Sequence, residues 1–344
     1  MEAIKVKKIR TLLYIATLLM LVISASADDG FSKAVSVDND QPVISTVSLH
    51  PNGKLLVTAG DDHVVRVWDL VSGVQIRQHE GHSGWIRSSA FIPKTTHVLT
   101  AGDDGNVHLI DVASGELKRK VASVDFAISR VAISPNGKVV AIAGFSKDLR
   151  LIEIQSGDVI HSIDTQTDDV RAVAFSRSGK VVASGGRDGL LRIWSVDTGR
   201  QVGEITAHRR RIRDMHFVAD DSLLVSISDD RTMFVANLED AVASFRIPLG
   251  GVVPFALADC RNDEVAVGGT DNQIAIWNLK KQTVRKVFQG HTGSVTSLDY
   301  ISRADGLGGI VVSGSFDTSV RTWPLGPVNP VRVRVSEKSS ASPK

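Results

Sequence analysis

Short runs of alternating apolar and polar residues, separated by turn-forming residues, recur along almost the whole chain. Examples are ISTVSL at 44–49 and VRAVAF at 170–175, which are followed by the turns HPNGK and SRSGK. Alternation with a period of two is typical of strands with one buried face, and Asn-Gly between two such runs indicates a hairpin. The pattern therefore predicts an all-β protein built from many short antiparallel strands.

One segment of this pattern returns at a nearly constant spacing. Its central position is filled by Trp68, Ile110, Ile152, Trp194, Ala236, Trp277 and Trp323, at successive spacings of 42, 42, 42, 42, 41 and 46 residues. Six residues earlier stand Asp62, Asp104, Ser146, Asp188, Asp230, Asp271 and Asp317. An Asp carboxylate suits such turns because it accepts backbone N–H bonds locally. Seven repeats of about four strands predict a seven-bladed β-propeller of four-stranded antiparallel blades over residues 28–326.

These tryptophans and aspartates resemble those of the WD-repeat proteins, the family of the G-protein β-subunit. In that family a histidine before the first strand, a Ser or Thr in the second strand, the turn Asp and the Trp form a buried network. The resemblance assigns the complete network to one blade, the last, through His291, Ser313, Asp317 and Trp323. His82 and His208 also take the histidine position, but their blades lack the tryptophan.

Two segments are candidates for the strand that closes the ring. The segment KAVSV at 33–37 stands in the register of a fourth strand, and WD-repeat rings commonly use an N-terminal strand for closure. The segment VRVRV at 331–335 also alternates like a strand. We expect the N-terminal strand to complete the last blade. Residues 327–344 are then an extra strand or a tail, and the composition of SEKSSASPK is that of a disordered segment.

The first 27 residues have the character of a secretory signal peptide. A basic start from Lys5 to Arg10 precedes an apolar run at 12–23 and the small residues Ala25-Ser26-Ala27. This order predicts export and cleavage after Ala27. An uncleaved membrane anchor is the alternative, although the apolar run is shorter than the roughly 20 residues that span a bilayer. We expect a bacterial-type family member that is periplasmic or secreted, without stable membrane insertion after cleavage.

Charge and cysteine content argue against several classes of protein, including nucleic-acid-binding and disulfide-stabilised proteins. Residues 1–27 carry four of the 40 Lys and Arg and one of the 38 Asp and Glu, so the remaining chain has a formal net charge of −1. Such a chain has no general attraction for nucleic acid. Cys260 is the single cysteine, so no internal disulfide forms. The sequence shows no metal-binding, nucleotide-binding or nucleophile motif, and we predict no metal and no cofactor.

WD-repeat rings bind proteins or peptides on the face formed by the loops before the first strand and after the second strand of each blade. The resemblance therefore implies a non-enzymatic interaction scaffold. Arg and aromatic residues dominate binding hot spots. On the predicted loops these residues are Trp85, Arg87, Phe145, Arg171, Arg187, Arg211, Arg213 and Phe316. The arginines concentrate in the fourth and fifth repeats, which favours an acidic partner. Alternatively, HRRRIRD at 208–214 is a solvated loop whose charges pair with Asp188, Asp214 and Asp230.

An enzymatic function is the alternative to the scaffold. Seven-bladed propellers also include lactonases, hydrolases and quinone-dependent dehydrogenases, whose polar sites lie at the central channel. The fifth positions of the predicted first strands are Ser48, Ala90, Ala132, Ala174, His216, Asp259 and Asp299. The last three would form a hard-metal or acid–base site if they shared one level of the channel. Alternatively, each is a satisfied polar residue between blades, and we predict no catalytic residues.

The predicted signal peptide leads to the first testable prediction. When the full chain is expressed with its leader and recovered from the extracytoplasmic fraction, intact-mass analysis should give a protein that begins at Asp28, because signal peptidase cuts after small residues. A membrane-bound product that retains residues 1–27 would contradict cleavage.

Overall fold

The computed structural model describes residues 34–35, 42–302 and 308–326, which form seven four-stranded antiparallel sheets. The predicted signal peptide and the VRVRV segment lie outside the described residues. Hydrogen-bonded neighbours are consecutive strands, except that the first strand of the chain pairs with the last, and each sheet is one blade. This arrangement confirms the seven-bladed propeller predicted from the repeat.

The strands of the first four blades follow one another along the chain. Blade 1 comprises β2 (Ile44–Leu49), β3 (Leu55–Gly60), β4 (Val64–Asp69) and β5 (Gln75–Glu80). Blade 2 comprises β6 (Ile86–Phe91), β7 (His97–Gly102), β8 (Asn106–Asp111) and β9 (Glu116–Ser123). Blade 3 comprises β10 (Ile128–Ile133), β11 (Val139–Gly144), β12 (Asp148–Glu153) and β13 (Val159–Asp164). Blade 4 comprises β14 (Val170–Phe175), β15 (Val181–Gly186), β16 (Leu190–Ser195) and β17 (Gln201–Thr206).

The remaining blades include the closing strand. Blade 5 comprises β18 (Ile212–Val218), β19 (Leu223–Ser228), β20 (Thr232–Asn237) and β21 (Phe245–Pro248), with a short 3-10 helix at Ala241–Ala243. Blade 6 comprises β22 (Pro254–Asp259), β23 (Glu264–Gly269), β24 (Gln273–Asn278) and β25 (Thr283–Gln289). Blade 7 comprises β26 (Val295–Ser302), β27 (Gly309–Ser315), β28 (Val320–Leu325) and β1 (Ala34–Val35).

The first strands form the inner wall of the ring. Each first strand contacts the first strand of the next blade, from β2 to β6 and onward until β26 contacts β2 again. The second strands are buried along nearly their whole length, whereas outer strands such as β5 are mostly exposed. The seven first strands therefore surround a central channel, and a residue at a given position of one strand has a counterpart in every other blade.

The hydrophobic core is divided into seven clusters, and each cluster lies between two neighbouring blades. Val57 and Val67 of blade 1 lie in one cluster with Ile86 and Ile110 of blade 2. Complete burial of such a side chain contributes roughly 1.5–3 kcal/mol. A single blade has no partner for its two apolar faces, so the ring provides the burial that each blade lacks.

The N-terminal strand closes the ring. Ala34 lies opposite Arg321 and Val35 lies opposite Val320, so β1 is the fourth strand of the sheet that contains β26, β27 and β28. This pairing confirms the expected closing strand. It joins the beginning and the end of the repeat array in one hydrogen-bonded sheet.

The turn before each third strand is held by a local hydrogen bond. At all seven positions the turn side chain accepts the backbone N–H two residues later, as in Asp62 from Val64 at 3.2 Å. Ser146, which replaces Asp in blade 3, accepts from Asp148 at 3.1 Å. A hydroxyl and a carboxylate therefore stabilise this turn in the same way.

The four-residue network of blade 7 is complete. Trp323 Nε1 donates to Ser313 Oγ at 2.8 Å, Ser313 Oγ lies 2.7 Å from His291 Nε2, and His291 Nδ1 lies 2.9 Å from Asp317. A carboxylate accepts hydrogen bonds, so His291 Nδ1 is the donor and a neutral Nε2 accepts from the serine. Burial lowers the pKa of His291, which agrees with a neutral ring. The four side chains therefore form one continuous hydrogen-bonded network.

Other blades keep parts of the same network. His82 contacts Asp104 and Thr100, each at 2.9 Å, and His208 contacts Asp230 and Ser226. In blade 4 the tryptophan and the serine are present without the histidine. There Trp194 Nε1 donates to Ser184 Oγ at 2.8 Å. The hydroxyl of the second strand is therefore the part shared by complete and partial networks.

These serines provide a matched test. Ser184→Ala leaves the Trp194 N–H without an acceptor, and we expect a loss of about 1–3 kcal/mol in the free energy of unfolding. Ser313→Ala leaves both Trp323 and His291 unpaired, and we expect about twice that loss. Urea denaturation of both variants measures the difference. Equal losses would show that the histidine bond contributes nothing to stability.

Candidate functional site

One opening of the channel is lined by a complete ring of residues, one from each blade. They occupy the second position of each first strand and are Ser45, Arg87, Ser129, Arg171, Arg213, Phe255 and Thr296. Trp85, Arg130 and Phe316 complete the lining of a cavity of about 250 Å³. We call this opening the channel mouth. It lies on the face that carries the loops before the first strands.

The residues of this ring divide into two groups. Ser129 Oγ donates to the Val170 carbonyl of the next blade at 2.8 Å, and Ser45 and Thr296 bond to the next blade in the same way. In blades 2, 4 and 5 the position holds an arginine instead. The hydroxyl residues therefore connect blades, whereas the arginines place guanidinium groups at the mouth.

Each mouth arginine is fixed by a carboxylate and an aromatic ring. Arg87 makes two hydrogen bonds with Asp103, at 2.7 and 3.0 Å, and its guanidinium carbon lies 4.2 Å from the Trp85 ring centroid. Bidentate pairing and cation–π stacking both hold the planar group in one orientation. The side chain is therefore oriented before any partner arrives.

Arg171 and Arg213 follow the same plan in blades 4 and 5. Arg171 Nε donates to Asp169 at 2.5 Å, and its guanidinium carbon lies 4.0 Å from the Phe145 ring centroid. Arg213 Nε donates to Asp229 at 2.6 Å, and its guanidinium carbon lies 5.3 Å from the Phe255 ring centroid. In both cases the carboxylate engages Nε, and the terminal nitrogens have no acceptor among the described residues. These N–H groups remain available to a ligand.

The structure brings together most of the predicted binding residues. The five that line the mouth are Trp85, Arg87, Arg171, Arg213 and Phe316. Phe145 stacks on Arg171, and Arg211 Nη2 lies 2.8 Å from the Asp169 carboxylate that also binds Arg171. Arg187 lies apart from this group and is exposed. Phe255 and Arg130 are mouth residues that the sequence analysis missed.

The ion-pair partners predicted for the arginines of the loop at 208–214 are wrong, whereas His208 of the same loop does contact the predicted Asp230. Arg211 and Arg213 pair with Asp169 and Asp229, which lie beside the mouth. Asp188, Asp214 and Asp230 instead pair with Arg192, Arg130 and His208, respectively. The reason is that the two arginines point to the mouth, where none of the predicted aspartates lies. Asp188 lies in the turn before a third strand, Asp214 lies inside the channel, and Asp230 belongs to the buried network of blade 5.

Inside the channel, polar side chains connect neighbouring blades. At the third position of the first strands, Ser297 accepts from Val47 N–H, and Ser88 accepts from Val131 N–H. Asp214 accepts from Leu257 N–H at 3.1 Å and also lies 2.5 Å from Arg130 Nη2, two blades away. The intervening blade has Ala172 at this position, which leaves room for the arginine. Ser88, Arg130, Asp214 and Ser297 line a cavity of about 390 Å³.

The predicted alignment at the fifth position is wrong in blade 6. Pro254 pairs with Gly269 at the level where Ile212 pairs with Ser228, so Ala258, and not Asp259, is the counterpart of His216. Pro254 follows Ile212 by the usual 42 residues, so the sequence-based alignment placed Asp259 one residue too far along the first strand. Asp259 lies 2.6 Å from Arg177 Nη2 of blade 4. The three side chains of the predicted acid–base site therefore do not share one level of the channel.

The two remaining polar residues of that level are bound to backbone. His216 Nε2 lies 3.0 Å from the Leu257 carbonyl, and Asp299 accepts N–H bonds from Leu49 at 2.6 Å and Tyr300 at 2.7 Å. Burial raises the pKa of Asp299 to about 6. Within the described ranges, no group of three or more His, Cys, Asp or Glu side chains is placed to hold a metal ion. Likewise, none of their helices is long and apolar enough to cross a bilayer.

The raised pKa of Asp299 predicts that the free energy of unfolding increases as the pH falls. Its folded-state pKa lies above the ordinary value of 3.8, so burial of the ionised form opposes folding above about pH 6 and this cost disappears as the pH falls towards 4. Relative to Asp299→Asn, the native protein should gain roughly 2–3 kcal/mol in the free energy of unfolding between pH 7 and pH 4. Parallel urea denaturation series measure this difference, and a pH-independent difference would contradict the assignment.

A family model described as WD domain, G-beta repeat matches residues 34–69, 73–111, 157–195, 199–236 and 282–324, which is more than half of the chain. The stretches between these matches contain the first three strands of blades 3 and 6. In these two blades the second-strand hydroxyl is replaced by Ile142 and Val267. The Nε1 atom of Trp277, which would bond to that hydroxyl, is buried without a partner.

Proposed function

Because this chain belongs to the WD-repeat family, we propose that it is a non-enzymatic scaffold that binds an acidic protein or peptide segment at the channel mouth, in an extracytoplasmic compartment. WD-repeat propellers commonly serve as protein-interaction scaffolds. The observation that carries the proposal is the set of three arginines, each fixed between a carboxylate and an aromatic ring around the mouth.

Preorganisation supports binding at this place. Ordering a long side chain on association costs about 0.5–1.5 kcal/mol, and side chains that are already held avoid much of this cost. Arg87, Arg171 and Arg213 are ordered by contacts within the chain. Phe255 and Phe316 add aromatic surface beside them, with ring centroids 6.4 Å apart. Aromatic and Arg side chains around a concave opening are typical of binding hot spots.

Local charge supports an acidic partner. Burial and the neighbouring Arg211 and Arg213 lower the pKa of Arg171, which shows that these cations lie close together. A guanidinium remains protonated under such conditions. An incoming carboxylate would reduce the repulsion between these cations. It would also accept hydrogen bonds from the free terminal N–H groups of Arg171 and Arg213. The exposed Arg187, Arg209 and Arg210 extend the basic surface over blades 4 and 5.

The channel interior supports a structural role for its polar groups. His216, Asp299 and Asp214 each bond to a backbone group, and all three bonds reach a neighbouring blade, through Leu49 or Leu257. Groups held in this way connect neighbouring blades, and this role requires no reaction in the central channel. The leader composition of residues 1–27 supports export of the scaffold.

The test is a binding assay with the full chain as bait in the extracytoplasmic extract of the native cells. Arg171→Gln with Arg213→Gln removes the free donors and avoids placing a new carboxylate beside Asp169 and Asp229. Each lost charged hydrogen bond is worth about 1.5–3 kcal/mol, so we expect at least a tenfold loss of partner capture.

The matched control is Arg77→Gln with Arg200→Gln, which removes the same charge from exposed positions on the outer side of blades 1 and 4. We expect the control to keep its partner, and we expect capture by the native chain to fall as salt concentration rises. Equal capture by the native chain and the mouth variant, with both folded by circular dichroism, would refute binding at the mouth.

A further inference from the structure

Asp61 of blade 1 occupies a repeat position whose carboxylate binds a mouth arginine in two other blades. Directly after the second strand, blades 2 and 5 have Asp103 and Asp229 at this position. Asp103 binds Arg87 and Asp229 binds Arg213, and each arginine lies on the first strand of the same blade. The position therefore serves as a carboxylate site for a guanidinium group.

Blade 1 has the carboxylate without the arginine. Its first and second strands pair in the same register as those of blade 2, so Ser45 is the counterpart of Arg87. Within the described residues Asp61 forms no ion pair, and Arg66 pairs with Asp62 instead. The Oδ1 atom of Asp61 is buried and has no hydrogen-bond partner among these residues. Such atoms are rare in folded proteins and indicate a missing ligand or water.

The place of the missing guanidinium belongs to the mouth cavity. Ser45 lines this cavity of about 250 Å³ beside Trp85 and Arg87. A serine is much shorter than an arginine, and the Ser45 hydroxyl donates to the Ile86 carbonyl. The serine therefore leaves unfilled the volume that an arginine would take at this position. Asp61 is partly exposed, so a cation that enters the cavity can approach its carboxylate.

Blade 1 lies across the ring from the basic side of the mouth. Because the first strands contact one another in a closed ring of seven, the blades farthest from blade 1 are blades 4 and 5. These two blades carry Arg171 and Arg213 at the mouth and the exposed Arg187, Arg209 and Arg210 around it. The mouth therefore has several cations on one side and a carboxylate that lacks a cation on the other.

We infer that Asp61 binds an arginine side chain of the partner, so that the acidic segment at Arg171 and Arg213 also carries a guanidinium group. The inference rests on the proposed function, because one segment must reach both sides of the mouth. A guanidinium suits the site because its planar group pairs with a carboxylate through two parallel hydrogen bonds, as Arg87 does with Asp103. The two opposite charges also fix the direction in which the segment crosses the mouth.

The test is a fluorescence-anisotropy titration of the purified full chain with labelled Gly-Ser peptides that carry a short run of Glu at one end. In one series an Arg stands about two to eight residues beyond the Glu run, because an extended chain spans ~3.4 Å per residue. In the matched series Gln replaces that Arg. We expect the best Glu–Arg peptide to bind roughly tenfold more tightly than its Glu–Gln counterpart.

Two variants locate this preference at blade 1. Asp61→Asn should remove the difference between the two series, because an amide carries no charge that attracts the guanidinium. Ser45→Arg should remove it as well, because it supplies the missing cation from within the chain. Arg171→Gln with Arg213→Gln should instead weaken the binding of both series, since every peptide carries the Glu run.

The matched control is Asp158→Asn, which removes the same charge from an exposed position in the turn between the third and fourth strands of blade 3. That turn lies at the opposite end of its blade from the turn that contains Asp61, so we expect the control to keep the preference for Arg.

Three outcomes would contradict these assignments. Equal binding of the two series by the native chain would overturn the inference and leave the proposed function intact. A preserved preference for Arg in folded Asp61→Asn would also overturn the inference, even if Ser45→Arg fails to fold. Absence of binding by every peptide of both series would overturn the binding of an acidic segment at the mouth, and the inference with it.

Discussion

The mutual burial of blade faces is the constraint on which the rest of the structure depends. Each four-stranded sheet has a second strand that is buried on both sides, and neither side finds its partner within the same blade. Neighbouring blades supply that partner, and a closed ring leaves no blade with a bare face. The pairing of β1 with β28 follows from the same need, since the last blade otherwise ends with its third strand.

A ring of equivalent blades also explains how a repetitive fold carries a particular surface. Every level of the channel receives one side chain from each blade, and the repeat does not require all seven to act alike. At the mouth, Ser129 and its equivalents connect blades while Arg87, Arg171 and Arg213 are directed outward with their own carboxylates and aromatic rings. The same strand position therefore connects blades in some repeats and places a guanidinium group at the mouth in others.

The buried polar network shows a similar division. The second-strand hydroxyl takes part whether the blade has the histidine, the tryptophan or both, as Thr100, Ser184 and Ser313 show. Where it is absent, in blades 3 and 6, the family model does not match the repeat, yet the sheets still form. The apolar faces therefore determine the blade, and the polar network refines its stability.

The sequence by itself determined the number of blades, their strand order and the turn aspartates. These features depend on local alternation and on a constant spacing, both of which are visible along one dimension. The four residues of the blade 7 network followed from the resemblance to the WD-repeat proteins. The sequence also indicated most of the mouth residues, because Trp85, Arg87, Arg171 and Arg213 are Arg or aromatic residues on the loops that the repeat predicts. The true level of Asp259 was missed because the first strand of blade 6 was aligned one residue too late, and a one-residue shift turns a side chain to the opposite face of a strand.

Only the tertiary structure decided which charges meet. Arg130 reaches Asp214 and Arg177 reaches Asp259 across two blades, over distances in sequence that no local pattern specifies. The approach of the His79 ring on β5 to the His108 ring on β8 likewise depends on the packing of two blades. Ion pairs and ring contacts depend on distances between strands in three dimensions, whereas strand formation depends on the order of neighbouring residues.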